Sequence, residues 1–188
     1  MACAWLVAVR GEIPAIPVAL RDQVAPDRWD AVARMALGGF AAPETTSMGR
    51  LFDAVAALCG VRPVVTYEGQ AAIELEALAD VGERGAYAGD PESWIVAVAA
   101  DAGAGVPVPV VSARFHRAVA EWTAAACAAA GTERVVLSGG VFQNRLLLTW
   151  TAERLEALGH TVLTPERLPA NDGGIAFGQA AVAAARTG

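Results

Sequence analysis

Residues 134–148 read Arg-Val-Val-Leu-Ser-Gly-Gly-Val-Phe-Gln-Asn-Arg-Leu-Leu-Leu, and the fold class is decided here. The apolar run from Arg134 to Leu137 stops at Ser138-Gly139-Gly140. An amphipathic segment then starts at Asn144 and continues to Leu158, with Gly159 just past its end. The pattern predicts a strand, a tight turn and a helix. Thr161 to Leu163 supplies a second strand, Pro165 to Asp172 a loop, and Gly174 to Arg186 a final helix. Strand, helix and strand in that order imply a right-handed parallel crossover. The class is α/β, with a parallel strand-helix-strand core and a large added helical part.

The helical part lies upstream. Trp5 to Val9 reads as a short apolar strand, followed by a loop through Pro14, Pro17 and Pro26. Trp29 to Leu37 is a short helix stopped by Gly38-Gly39. Thr46 or Ser47 caps a stronger helix to Cys59, with Gly60 at its end. Met48, Leu51, Phe52, Val55 and Leu58 share one face of it, and Arg50 and Asp53 take the other. Gly69 to Ala79 is a further helix, entered through Tyr67-Glu68-Gly69. The run Trp94 to Ala100 fits either helix or strand. Ala113 to Ala130 is a long helix whose expected buried stripe is Phe115, Val119, Trp122 and Ala126.

Composition excludes several functions. The chain has 43 alanines and 22 valines among 188 residues, apolar enough for a core and far from a disordered composition. All 14 basic residues are Arg, so mechanisms built on a lysine fall away: Schiff bases, the P-loop lysine and the protein-kinase lysine. A net charge of −6 with scattered arginines argues against a nucleic-acid partner. Cys3, Cys59 and Cys127 have no C-x-x-C spacing, so neither a disulfide framework nor a zinc knuckle is indicated, and a cytoplasmic location is expected. The most apolar stretch, Trp94 to Val111, carries Asp101 and is broken by Gly103, Gly105, Pro107 and Pro109. No membrane span or signal peptide is expected.

Two glycine turns are where chemistry belongs. Ser138-Gly139-Gly140 follows a strand and precedes a helix, where glycine amides and a helix N-terminus favour an anion. Its plain reading is an ordinary strand-to-helix turn. Asn144 is a helix cap on the plain reading, and a ribose or phosphate contact on the functional one. Asp172, within Asn171-Asp172-Gly173-Gly174, is either a helix cap or a ligand for a metal or metal-bound phosphate. Arg50 and Asp53 read by themselves as a solvated ion pair. Glu68, Glu74 and Glu76 read as a charged face. His116 and His160 belong to no metal-binding pair and read as structural.

These residues also carry a resemblance. Thr45-Thr46-Ser47-Met48-Gly49-Arg50-Leu51-Phe52-Asp53-Ala54-Val55-Ala56-Ala57-Leu58 resembles the TSxxGRLFDAVAAL segment of the HypF-type carbamoyltransferases that mature [NiFe] hydrogenases. Tyr67-Glu68-Gly69-Gln70-Ala71-Ala72 with Leu75-Glu76 resembles a second segment of that family, and Phe115-His116 a third. Ser138-Gly139-Gly140-Val141 with Asn144-Arg145-Leu146-Leu147 is similar to a fourth. Leu168-Pro169 with Asp172-Gly173-Gly174 and Gly178-Gln179 is similar to a fifth, in the same order. The match covers residues 31–188, with residues 1–30 matching poorly.

The resemblance implies an actin-like ATPase (ribonuclease H-like) half-module, related to the enzymes that make threonylcarbamoyladenosine in tRNA. It implies that Asp53 binds ribose hydroxyls, that Gly69 borders the ribose, and that Gly139 and Gly140 cradle phosphates. Asn144 would contact the nucleotide, which is ATP or carbamoyl-adenylate. Asp172 would complete a divalent metal site, Fe or Zn. The tRNA-modifying relatives carry Gly-Gly where this chain has Gly69-Gln70, so only Gly69 is carried over. The implied reaction is ATP-dependent, ligase-type carbamoyl transfer to the C-terminal cysteine of a HypE-type acceptor protein. The family's HHxAH-like metal segment has no counterpart in this sequence. The chain is therefore expected to be the second half of the last module, truncated or split from its N-terminal half, and inactive alone. The alternatives are a half-module that only binds nucleotide, and a small-molecule O-carbamoyltransferase.

Overall fold

In the computed structural model, which describes residues 1–187, Ser47 opens the central helix of the first of two units. Its side chain accepts the Arg50 amide at 3.5 Å and starts α3, Met48–Leu58. Six of the eleven α3 residues are buried, namely Leu51, Phe52, Ala54, Val55, Ala56 and Leu58. A helix buried over so much of its circumference must be surrounded. The neighbours of α3 are α1 (Ala2–Arg10), α4 (Gln70–Leu78) and α5 (Pro91–Gly103). α2 (Pro26–Gly38) packs on α1. The first part of α6, Val108–Ala130, completes this unit, which ends at Ala118. Phe115 sits edge-on to Phe52 at 4.8 Å and to Trp94 at 6.2 Å, and all three side chains are fully buried.

The strand expected at Trp5–Val9 is instead part of helix α1. Ala2, Cys3, Leu6 and Val7 are its buried residues, a helical spacing that a strand would split between two faces. Gly11, at φ 69°, ends the helix by donating its N–H to the Val7 carbonyl at 2.8 Å. A short apolar run has no period to distinguish the two states. The ambiguous run Trp94–Ala100 lies inside α5, started by Pro91 and by the Asp90 carboxylate, which accepts the Ser93 amide at 2.9 Å.

The second unit, from Val119 onward, holds the sheet. β1 (Arg134–Val136) and β2 (Thr161–Leu163) are parallel, with Val135 opposite Val162, and α7 (Arg145–Ala157) forms the crossover between them. Val135, Leu137, Leu155 and Ala124 form the core, flanked by Cys127, Phe142, Leu148, Ala152 and Val162. The outer face of the sheet is bare: Val136 is 64% exposed and Leu163 46%. α8, Ile175–Thr187, buries no residue. This is the expected α/β class, with its parallel strand-helix-strand core.

The stripe expected on α6 holds only in its first half. Phe115 and Val119 are buried, but Trp122 is 44% exposed and Ala126 is exposed. From residue 119 onward the helix belongs to the other unit, and its inward positions become Ala120, Ala124 and Cys127. One uninterrupted period cannot describe a helix that serves two cores.

Candidate functional site

The first unit carries Asp53 and Gly69. Asp53 lies half-buried on α3, between the core residues Phe52 and Ala54. Burial raises its carboxyl above the ordinary aspartate value, against the opposing pull of the Met1 ammonium and Arg50. Among the described residues no ion pair within 4 Å joins Arg50 to Asp53, so the expected solvated pair is not what this helix face presents. A half-buried carboxylate without a cation in contact suits a neutral diol, which it can bind through two O–H donors.

Gly69 is the N-cap of α4, at φ 80° and ψ −4°, a left-handed conformation that glycine adopts without a Cβ penalty. The segment before it is tied down by a network that the sequence reading missed. The Thr66 N–H and hydroxyl both donate to Gln70 Oε1, at 2.8 and 3.1 Å. Gln70 Nε2 donates to Glu74 Oε1 at 3.0 Å, and Arg62 holds the same carboxylate bidentately at 2.7 and 2.8 Å. Glu74 is therefore not one member of a bare charged face. Its hydrogen bonds from Arg62, chiefly, hold its carboxyl below the usual glutamate range. The signal available in the sequence was Gln70 itself, a long amide at a position where a related family has glycine.

The second unit brings the two glycine turns together. The Gly139 N–H donates to the Ala170 carbonyl at 2.7 Å, and Ser138 Oγ donates to the same oxygen at 3.4 Å. A depression of about 410 Å³ results, with Ser138, Gly139, Asn171, Asp172 and Phe177 in its lining. Gly139 sits at φ 99° and ψ 162°, a region essentially reserved for glycine. A Cβ at Gly139 or at Gly140 would meet nothing within 4 Å, so open space lies above both. A 3-10 turn, Gly140–Gln143, fills the interval between the glycines and α7, which starts after Asn144 as the sequence indicates. With the Gly139 amide already bonded, the donors suited to an anion are the first amides of that turn, Gly140 and Val141, which have no partner inside it.

Asn144 caps α7, its Oδ1 accepting the Leu147 N–H at 2.8 Å. Asp172 is exposed at the first position of a 3-10 turn, but the cap there is Asn171, whose Oδ1 accepts the Gly173 N–H at 3.0 Å. The cap reading of Asp172 is therefore replaced by a cap at its neighbour. Behind it Gly174 is obligatory, because a Cβ would stand 2.7 Å from the Pro169 carbonyl oxygen. Among the described residues no three His, Cys, Asp or Glu side chains converge on a point that a metal ion could occupy. Asp172 alone does not make a metal site in this chain. Both histidines have structural places. His116 is fully buried with Nδ1 2.8 Å from the Ser112 carbonyl, and His160 Nδ1 lies 2.7 Å from the Thr132 carbonyl.

With this geometry described, comparison with known proteins is specific. Residues 1–179 match the family described as "Carbamoyltransferase, Kae1-like Domain, second subdomain". The carbamoyltransferase HypF of Rhizobium leguminosarum bv. viciae is 39% identical over 186 residues, covering 91% of this chain and 24% of that protein. The HypF of Rhodobacter capsulatus is 42% identical over 170 residues, covering 84% of this chain and 22% of its own. A crystal structure of full-length HypF in its phosphate- and nucleotide-bound form superposes with a TM-score of 0.80 at 38% identity, over 86% of this chain and 23% of that one. The HypF of T. kodakarensis, 23% identical, shares the fold with a TM-score of 0.70, over 88% of this chain and 23% of that one. The chain spans about a quarter of the length of these relatives. Among the described residues no helix is long and apolar enough to cross a membrane.

Proposed function

The chain belongs to the HypF carbamoyltransferase family, and on that premise we propose that it is the nucleotide-binding second half of a carbamoyl-transferring, actin-like ATPase-type module. The nucleotide is ATP or carbamoyl-adenylate. In the first unit Asp53 and Gly69 carry the chemistry for ribose hydroxyls. In the second unit Gly139 shapes the open turn, the Gly140 and Val141 amides carry the chemistry for phosphate, and Asn144 helps by fixing the start of α7. The observation that carries this reading is the bond from the Gly139 N–H to the Ala170 carbonyl, which draws both glycine turns around one depression. Glycine amides and an open turn are the chemistry that phosphate oxygens require. That a full-length HypF 38% identical to this chain was crystallised in a phosphate- and nucleotide-bound form supports nucleotide binding within the family.

In the complete protein the reaction is ATP-dependent carbamoyl transfer to the C-terminal cysteine of a HypE-type partner during [NiFe] hydrogenase maturation, in the cytoplasm. The exposed Val136 and Leu163 on the sheet, and the unburied α8, are surfaces for the N-terminal half of the module. Parallel sheets are ordinarily covered on both faces. That half would also bring the remaining ligands of the Fe or Zn site to which Asp172 contributes. By itself the 188-residue chain binds nucleotide without turning it over.

An ADP titration followed by amide NMR tests the reading. The expected dissociation constant is in the ~mM range, about 4 kcal/mol of binding free energy. Asp53→Ala should weaken it by about tenfold, the value of one charge-assisted hydrogen-bonding group. Equal affinity in the two proteins would remove Asp53 from the site.

A further inference from the structure

Thr66 and Gln70 bracket the three-residue tip Tyr67-Glu68-Gly69, and the side chain of Gln70 closes its base. Both ends of that amide are committed: the oxygen takes two donors from Thr66, and the nitrogen donates to Glu74. The amide orientation is fixed by this pattern, since reversing it would set NH₂ against an N–H donor and an oxygen against a carboxylate. Gln70 is only 7% exposed, so water does not replace these partners. Arg62 anchors the far end through Glu74 at 2.7 Å. The chain Arg62–Glu74–Gln70–Thr66 thus joins the segment before the tip to the first turn of α4. The helix does not need this to stay attached, because Ala71 and Leu75 already bury their side chains in the core. What the network adds is a fixed geometry for the tip and for the left-handed Gly69. A loop held in its binding conformation loses less freedom when a ligand arrives.

We propose that Gln70 is a positioning residue for the nucleotide site, holding the Thr66–Gly69 loop in the shape that presents Gly69 to the ribose. This rests on the reading of Asp53 and Gly69 as the ribose side. Gln70→Glu is the informative variant. It keeps the size of the side chain and the acceptor for Thr66, but turns the donor facing Glu74 into a second carboxylate. A proton shared between the two carboxylates restores that hydrogen bond, so the defect is reversible with pH. Arg62 and Glu74 are the charged groups bonded into the same network.

The experiment is the ADP titration of the 188-residue chain by amide NMR at pH 8.0 and pH 5.5. Each variant is compared with wild type at the same pH, which cancels the titration of ADP itself. Gln70→Glu should bind at least tenfold more weakly than wild type at pH 8.0 and within threefold of it at pH 5.5. Asp53→Ala should remain weak at both. A purely structural Gln70 would show wild-type affinity at pH 8.0, or a loss that acid does not recover, and either result overturns the proposal. If Gln70→Glu is unfolded at pH 8.0, Gln70→Ala decides: tenfold weaker binding with a dispersed spectrum supports the proposal, and wild-type affinity overturns it. Failure of the underlying reading shows separately and first, as absence of ADP binding by wild type. If wild type binds and Asp53→Ala weakens it while Gln70→Glu does not, only the positioning role falls.

Discussion

Acidification should loosen the first unit through His116. Its ring lies edge-on to Phe52 at 5.1 Å and is fully buried, and Nδ1 donates to the Ser112 carbonyl at 2.8 Å. Burial pushes the imidazole down to about 4, only partly opposed by that hydrogen bond. An unfolded histidine takes its proton near 6.5. Between those values the unfolded chain binds a proton that the folded chain refuses. The stability contribution is therefore full above pH 6.5 and is lost as pH falls toward 4. Two and a half pH units at about 1.4 kcal/mol each make about 3–4 kcal/mol, most of it gone by pH 4.5. The carboxylates of Glu74, Glu83 and Asp90 have values lowered by hydrogen bonds, from Arg62 at Glu74, chiefly from the Gly85 amide at Glu83 and from Ser93 at Asp90, so their stabilisation fades only below their unfolded range near 4. The window from 6.5 to 4.5 thus belongs mainly to His116. The assay is urea denaturation followed by far-UV circular dichroism, on wild type and His116→Phe, at pH 7.5, 6.0, 5.0 and 4.5. Wild type should lose about 2–3 kcal/mol more than the variant across the series. Parallel pH profiles would refute the argument, whatever the stability of His116→Phe at pH 7.5. Because Phe52 precedes Asp53 on α3, the same protonation should disturb the candidate ribose carboxylate before the chain unfolds globally.

Two further outcomes concern the glycine turns. Gly139→Ala should cost about 1–3 kcal/mol in a urea melt, from backbone strain alone, because no atom lies within 4 Å of the added Cβ. Gly140→Ala, at an ordinary φ and with equal space, should cost less than about 0.5 kcal/mol, and equal losses would remove the strain argument. At the other loop, Asn171→Ala should lose roughly 0.5–2 kcal/mol as a cap, while Asp172→Ala leaves the melt unchanged. The reverse ranking would return the cap to Asp172.

What was legible in the sequence was local, and what was not was produced by contacts between distant segments. Gly131, Gly139 and Gly159 all lie at positive φ and mark the boundaries of β1 and α7, which is why the strand-helix-strand core could be read without a structure. Ser47, Asn144 and Gly60 also signal helix ends through their own chemistry. Trp5–Val9 had no such punctuation inside it, and its helical state follows from burial against α2, α3 and α5. Trp122 was misplaced for a related reason, since the core that a long helix faces can change along its length. The Arg62–Glu74 pair joins residues twelve apart across a loop, and neither its partner nor its role follows from a period of 3.6. The same holds for the candidate site. Glycines and carboxylates suggested where phosphate and ribose chemistry belongs, but only the folded chain shows that the Gly139 amide is already taken by Ala170 and that Asn171 holds the turn beside Asp172. Residue types mark a site, whereas the hydrogen bonds already made there decide which groups remain to bind. That places the anion donors at Gly140 and Val141 and leaves the Asp172 carboxylate clear of a capping role.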